Sequence, residues 1–438
     1  MSEVAHFFQQ NFYFFISTYM EKLYIVGGKP LNGKLKIKGA KNAILPILAG
    51  SILCKDKVVL TNIPNLIDIH NMCEILRAIG CEVVEKQDQI VINSKTINSY
   101  SLPSELTNKL RASIFLLGPL LALQKKARVS FPGGCNIGNR PIDIHLDGLK
   151  NLGVEITESH GFINCDATSQ HSGEYTLRFP SVGATENLMM SAVFTKGITT
   201  LNNCAKEPEI VDLQNFLNKM GAKISGAGTC QILVEGVEKL HGVSYSPIGD
   251  RIVAGTYIIA TLCTGGNVEL SNIDPKHLSS LLEKIASNDC LITTKNDKIK
   301  IVSNGRKKSI PFVETKPYPD FPTDLQAQMM TLQAVSEGTS ILVENIFESR
   351  FRHVPQLVKM GADIKVKGDC AIINGKDRLQ GAEVTATDLR AGASLVIAGL
   401  CANGYTTVKD IYHIDRGYDH IENDLKSLGA DIKRIDSE

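Results

Sequence analysis

One short pattern of apolar and polar positions returns along the whole chain. A leucine or phenylalanine, two or three residues, an apolar residue, a glycine and then an alternating run recur as LRAIGCEVV, LKNLGVEIT, FLNKMGAKIS, LVKMGADIK and LKSLGADIK. The glycines are Gly80, Gly153, Gly221, Gly361 and Gly429, and the one long gap holds a degenerate copy, LLEKIASNDCLI, around Ile285. Six units of about 70 residues thus fill the chain after Met20, the mark of a repeated supersecondary element. Each copy predicts an amphipathic helix ended by a glycine in a left-handed C-cap, then a strand.

A second pattern precedes each copy. KNAILPILAGSIL, LRASIFLLGPLLAL, SVGATENLMMSAVF, DRIVAGTYIIATL, TDLQAQMMTLQAV and TDLRAGASLVIAGL predict helices that are apolar nearly all round, with polar residues gathered at their starts. Strands such as VVLTNI, ARVSF, TTLNN, NVELSNI, SILVENI and TTVKDI follow them. The unit reads helix, strand, loop, helix, glycine, strand. A helix apolar on every side must be buried, so three of them per half predict two similar α/β domains, each with a helical core inside sheets and outer helices.

A chain of 438 residues is long enough for two such cores. Residues 41–248 are expected to form the first domain, with three repeats, and residues 20–40 plus 249–438 the second, with the strand LYIVGG crossing back to it. Residues 1–19, with seven aromatics and no usable period, are expected to be an upstream extension, with Met20 able to serve as the start. The alternative is an aromatic arm packed on the body.

Composition narrows the function. Hydrophobic content of 43%, charged content of 21% and a net charge of +1 describe an ordinary soluble globular protein, without the basic excess of a nucleic-acid binder. Any cationic site must be local. The eleven cysteines are scattered with no CxxC pair, which argues against a disulfide framework or a structural zinc and for a reducing cytoplasm. No apolar run reaches the roughly 18 residues of a spanning helix, and the N-terminus lacks the basic start of a signal peptide, so no membrane insertion is expected.

Lys41, Arg111, Asp250, Arg251, Asp324 and Arg390 fall at or near the polar helix starts, where first-turn amides and the helix dipole favour anions. Singly, Arg111, Arg350, Arg390 and Arg416 read as surface or ion-paired residues. Together with Lys41 they occupy equivalent places in the repeat, as a shared pocket for phosphate and carboxylate groups requires. Asp324, after Thr323, reads locally as a helix cap rather than a general base. In FPGGCNIGNRPIDIH, Cys135 stands on a glycine-rich loop near Arg140, which can lower its pKa; a reactive thiol and a free surface cysteine remain equally open. His145, His353 and His413 are not spaced as metal ligands, and no metal or cofactor is expected.

The motifs KGAKNAILPILAG, LRASI, GGCNIGNRPIDIH, FPSVGATEN, FPTDLQAQ, ENIFESRFRHVPQL, TDLRAGASLVIAG and HIDRGY, running in order from about Met20 to the end, closely resemble those of the UDP-N-acetylglucosamine 1-carboxyvinyltransferases, enolpyruvyl transferases of peptidoglycan synthesis. The resemblance implies a two-domain inside-out α/β barrel of six βαβαββ units, with phosphoenolpyruvate and UDP-N-acetylglucosamine as substrates. It implies that Lys41 and Asn42 bind phosphoenolpyruvate with Arg140 and Arg416 at its phosphate and Arg350 and Arg390 from the other domain. Arg111, Pro141, Ile142, Asp143, Ile144, Ser181, Val182, Gly183 and Ile346 would hold the UDP-sugar, with Asp324 at its 3-hydroxyl. Cys135 would protonate C3 of the enol, form a thioether with phosphoenolpyruvate and be the thiol that fosfomycin alkylates.

Three positions depart from the usual pattern: Asn136 and Asn139, where small residues are common, and Phe179, where some relatives carry lysine. The alternatives are 3-phosphoshikimate 1-carboxyvinyltransferase, against which the cysteine loop argues, and a non-catalytic UDP-sugar-binding paralogue.

Overall fold

The structure, a computed structural model, describes residues 21–131, 138, 142–286 and 290–436. The expected extension 1–19, with Cys135, Asn136, Asn139, Arg140 and Pro141, lies outside these residues, as does part of the degenerate repeat.

The glycines that close the five clear repeats all have positive φ: 100° at Gly80, 87° at Gly153, 105° at Gly221, 91° at Gly361 and 94° at Gly429. Each follows an amphipathic helix: Ile67–Ala78, Asp143–Asn151, Pro208–Lys219, Val354–Lys359 or Ile421–Ser427. A side chain at φ near +90° would be strained, which is why the pattern demands glycine there.

The six apolar helices are Lys41–Gly50, Leu117–Gln124, Val182–Ser191, Arg251–Thr264, Gln326–Ala334 and Leu389–Cys401. Two begin later than their apolar runs suggest. A 3₁₀ turn, Arg111–Leu116, precedes Leu117–Gln124, whose first turn takes Pro119, where the missing N–H costs no intrahelical bond. Another, Thr323–Leu325, precedes Gln326–Ala334.

Among the described residues six sheets stand around these helices, five of four strands and one of three. In one, Phe312–Thr315 runs parallel to Thr339–Glu344, which pairs antiparallel with Cys370–Asn374, itself antiparallel to Asp363–Lys367. The other four-stranded sheets repeat that order. In the three-stranded sheet a single parallel bridge, Ser101 to Arg128, stands where the first strand would be. Five of the six sheets therefore carry a leading strand, and all six a closing antiparallel strand, beyond the elements that the repeat predicts.

Two apolar cores are filled. One draws on positions from Ala40 to Leu240, the other on Leu23 to Ile37 together with Ile252 to Ile432. Three strands are lent across the chain. Glu21–Val26 lies between Tyr405–Lys409 and Asp431–Asp436, Leu31–Lys36 runs parallel to Gly266–Ser271, and Ser244–Tyr245 runs parallel to Val58–Thr61. The two chain crossings meet at a bridge between Gly39 and Gly249. A Cβ at Gly249 would stand 1.9 Å from the Asn272 carbonyl oxygen, so only glycine passes there.

Candidate active site

A cleft of about 580 Å³ collects the polar helix starts of both cores, a size suited to a small-molecule ligand. Its lining includes Lys41, Asn42, Arg111, Ile142, Ile144, Ser181, Val182, Gly183, Asp324, Ile346, Arg350, Arg390 and Arg416. Of the residues expected at the site and described, only Asp143 is absent from the lining. Its carboxylate pairs with Arg178 and accepts the Ile144 backbone N–H at 2.8 Å.

The cations are held in pairs by two carboxylates. Lys41 Nζ lies 2.5 Å from Asp68 Oδ2, and Arg416 Nε donates to Asp68 Oδ1 at 2.9 Å. Arg350 donates to Asp324 Oδ1 at 2.9 Å and Arg390 to Asp324 Oδ2 at 3.1 Å. Burial pushes each carboxyl up, but its cations outweigh that: Lys41 and Arg416 hold Asp68 below the ordinary carboxylate range, and Arg390 with Arg350 hold Asp324 far below it. Burial also lowers Lys41, against the pull of Asp68.

This overturns the reading of Asp324 as a helix cap. No side-chain cap closes the start of the Thr323–Leu325 turn. The local cap rule loses to two guanidinium groups that tertiary structure brings to the same carboxylate.

Neighbouring groups fix the cations. Arg350 also donates to the Thr323 carbonyl at 3.2 Å, and His353 Nδ1 donates to the Arg350 carbonyl at 3.1 Å. Arg350 Nε is buried with no partner among the described residues. The Tyr418 hydroxyl stands 3.5 Å from Arg390 Nη1 and is itself held by Thr256 at 2.8 Å. Asp250 caps helix Arg251–Thr264 by accepting from Ile252 and Val253, and its second oxygen accepts the Lys41 backbone N–H at 3.1 Å. One carboxylate thereby links the starts of two buried helices from different cores.

The sugar-side residues are placed by local geometry. Ser181 is the N-cap of helix Val182–Ser191, accepting from Ala184 N–H at 3.4 Å. Glu344 accepts the Ile346 and Phe347 N–H groups at 2.9 and 3.1 Å and so presents Ile346 to the cleft. Phe179, exposed, lies on the cleft wall. His145 is buried against Asn187, its Nδ1 2.9 Å from the Asn187 amide nitrogen.

Six acids on the lining escaped sequence reading: Asp68, Glu186, Glu207, Glu209, Glu348 and Asp388. Asp68, in the first turn of an outer helix, looks like an ordinary complement to the helix dipole. Nothing local marks it as a buried ion partner.

The profile of the EPSP synthase (3-phosphoshikimate 1-carboxyvinyltransferase) family matches residues 25–425. Among solved structures, the enolpyruvyl transferase NikO from Streptomyces tendae superposes with a TM-score of 0.86 at 24% identity, covering 96% of this chain and 100% of that one. EPSP synthase from Acinetobacter baumannii superposes at 0.73 with 18% identity, covering 95% of this chain and 100% of that one. The fold is that of the enolpyruvyl transferases.

Curated relatives narrow the class. UDP-N-acetylglucosamine 1-carboxyvinyltransferase 2 of Caldanaerobacter subterraneus is 52% identical over 416 residues, covering 95% of this chain and 100% of that protein. UDP-N-acetylglucosamine 1-carboxyvinyltransferase of Coxiella burnetii is 48% identical over 420 residues, covering 95% and 97%. The chain belongs to the UDP-N-acetylglucosamine 1-carboxyvinyltransferase family. No helix among the described residues is long and apolar enough to cross a membrane.

Proposed function

We infer that this chain transfers the enolpyruvyl group of phosphoenolpyruvate to the 3-hydroxyl of UDP-N-acetylglucosamine, releasing phosphate, in the cytoplasmic stage of peptidoglycan synthesis. The observation that carries the reading is the gathering of Lys41, Arg350, Arg390 and Arg416 around two carboxylates in one cleft. Phosphoenolpyruvate carries a phosphate and a carboxylate, and these cations supply donors for both. The buried Nε of Arg350 is a donor that an incoming anion can satisfy. Arg140 adds to this set by resemblance. The two apolar cores support a division into two domains, 41–248 and 20–40 with 249–438, that close on the substrate.

The sugar oxygen adds to C2 of the enol while C3 gains a proton; C3 then gives a proton back as the C2–phosphate bond breaks, which restores the double bond. Cations stabilise the charge on phosphate and carboxylate through both steps. While Arg390 and Arg350 hold its carboxyl down, Asp324 is a poor base. Phosphoenolpyruvate draws on the same two arginines, so its arrival frees Asp324 to accept the 3-hydroxyl proton. Cys135 is the proton donor to C3 and forms the thioether. Arg111, Pro141, Ile142, Asp143, Ile144, Ser181, Val182, Gly183 and Ile346 hold the UDP-sugar.

Coupled phosphate release with each acceptor tests the reading. Turnover with UDP-N-acetylglucosamine and none with shikimate 3-phosphate is expected; the reverse sinks it. Fosfomycin in the presence of UDP-sugar should add one equivalent of mass at Cys135, and label on another cysteine removes that thiol from the scheme.

A further inference from the structure

Among the groups that the proposed chemistry leaves unused in the cleft, Glu186 stands out. Glu186 lies in the second turn of helix Val182–Ser191, whose start supplies Ser181, Val182 and Gly183 to the same lining. Its side chain is fully buried, and neither carboxyl oxygen has a hydrogen-bond partner among the described residues. Arg251, a cation lining the same cleft, is engaged by Glu209 at 3.0 and 3.4 Å. Glu207, a further acid on the lining, also has a carboxyl oxygen without a partner.

A buried acid with no partner destabilises a fold, and where it borders a ligand cavity the cost points to a bound group that completes it. Burial, reinforced by the charges of Glu209 and Glu207, drives the Glu186 carboxyl well above the ordinary range. In the protonated form it offers one O–H donor and one carbonyl acceptor. Such a group does not suit a phosphate or a carboxylate, both of which the cleft's cations already serve. It suits a neutral hydroxyl or amide.

We propose that Glu186 is a specificity-determining residue that hydrogen-bonds the neutral hydroxyl or acetamido substituents of the acceptor's sugar ring, a role that rests on the UDP-N-acetylglucosamine reading above. Phosphoenolpyruvate, whose anionic groups go to Lys41 and the arginines, does not depend on it. The carboxyl trades folding stability for recognition of the sugar.

Wild type, Glu186→Met and Glu186→Gln, each as the full chain, are compared by phosphate release and by thermal unfolding. Met fills the space without polar atoms, whereas Gln keeps a donor and an acceptor. Glu186→Met should raise KM for UDP-N-acetylglucosamine by about tenfold or more and leave KM for phosphoenolpyruvate within about twofold, since an unpaired polar contact is what discriminates polar ligands. It should also melt about 2–4 °C above wild type, because an unsatisfied buried group is gone. Glu186→Gln should recover most of the lost affinity.

An unchanged sugar KM in Glu186→Met overturns the proposal. So does a fall in melting temperature, or failure to fold, in that variant, for the carboxyl would then be a structural partner. A wild type that does not turn over UDP-N-acetylglucosamine overturns the proposed function instead, so the two failures are separable.

Discussion

Asp68 and Asp324 are built alike and placed differently. Each carboxylate takes two cations, Lys41 and Arg416 in one case, Arg350 and Arg390 in the other. The Asp68 side chain is only 3% exposed and joins a residue of the first core region, Lys41, to Arg416 near the end of the chain. Asp324 is 27% exposed, and both of its arginines come from its own half. The same ion triad can therefore be a clasp when sealed and a reactive group when left open to a ligand, and exposure rather than composition makes the difference.

The comparison breaks most sharply at Asp324. Asp324→Asn should lower kcat by about 10²–10⁴-fold, the range for loss of a positioned general base, while phosphoenolpyruvate still binds. Isothermal titration together with single-turnover rates separates the two, and a kcat within about threefold of wild type would assign the 3-hydroxyl proton elsewhere.

Asp68→Asn should act on folding. Leaving Lys41, buried, and Arg416, partly buried, without their carboxylate costs about 3–5 kcal/mol, read as a fall in the urea midpoint. Combining it with Lys41→Met should give a non-additive double-mutant cycle, coupled by about 1–3 kcal/mol. Additive effects would mean that the two residues do not act as a pair.

Acid unfolding sharpens the point. Both carboxyls titrate below 3.8, the ordinary aspartate value, when folded. Their contribution to stability is therefore present above pH 3.8 and lost as pH falls through the lower folded values. Asp68→Asn should show less loss of stability than wild type between about pH 5 and pH 2. An equal or steeper slope would contradict the ion triad.

The smallest effect belongs to the exposed ion group outside the cleft. Arg178 bridges Asp143 and Asp147 at the surface. Arg178→Ala should change stability by no more than about 0.5 kcal/mol, as surface pairs do. A larger loss would show that Asp143 needs its partner to hold the start of helix Asp143–Asn151.

What was legible in the chain followed from rules that act locally. Gly80, Gly153, Gly221, Gly361 and Gly429 announce helix ends because a positive φ admits little else. The six buried helices announce themselves by having no polar face. The leading strands Glu174–Thr176, Ser244–Tyr245 and Glu383–Thr385 were not legible, since two or three residues carry no period. Asp68 and Asp324 each satisfy an innocent local rule at a helix start, and only partners brought by the fold reveal their charge pairing. Lys41, Arg350, Arg390 and Arg416 could be grouped from the repeat because equivalent positions in repeated units converge.

The lent strands also set an order of events during synthesis. Every strand of the sheets around the first core, including the Ser244–Tyr245 strand beside Val58–Thr61, has been made once residue 245 is complete. Glu21–Val26, by contrast, has no neighbours until Tyr405–Lys409 and Asp431–Asp436 exist. At about 5–20 residues per second, that strand waits tens of seconds with its edges unpaired. The core that takes Glu21–Val26 is the last to close, and that strand is the one most in need of protection on the ribosome.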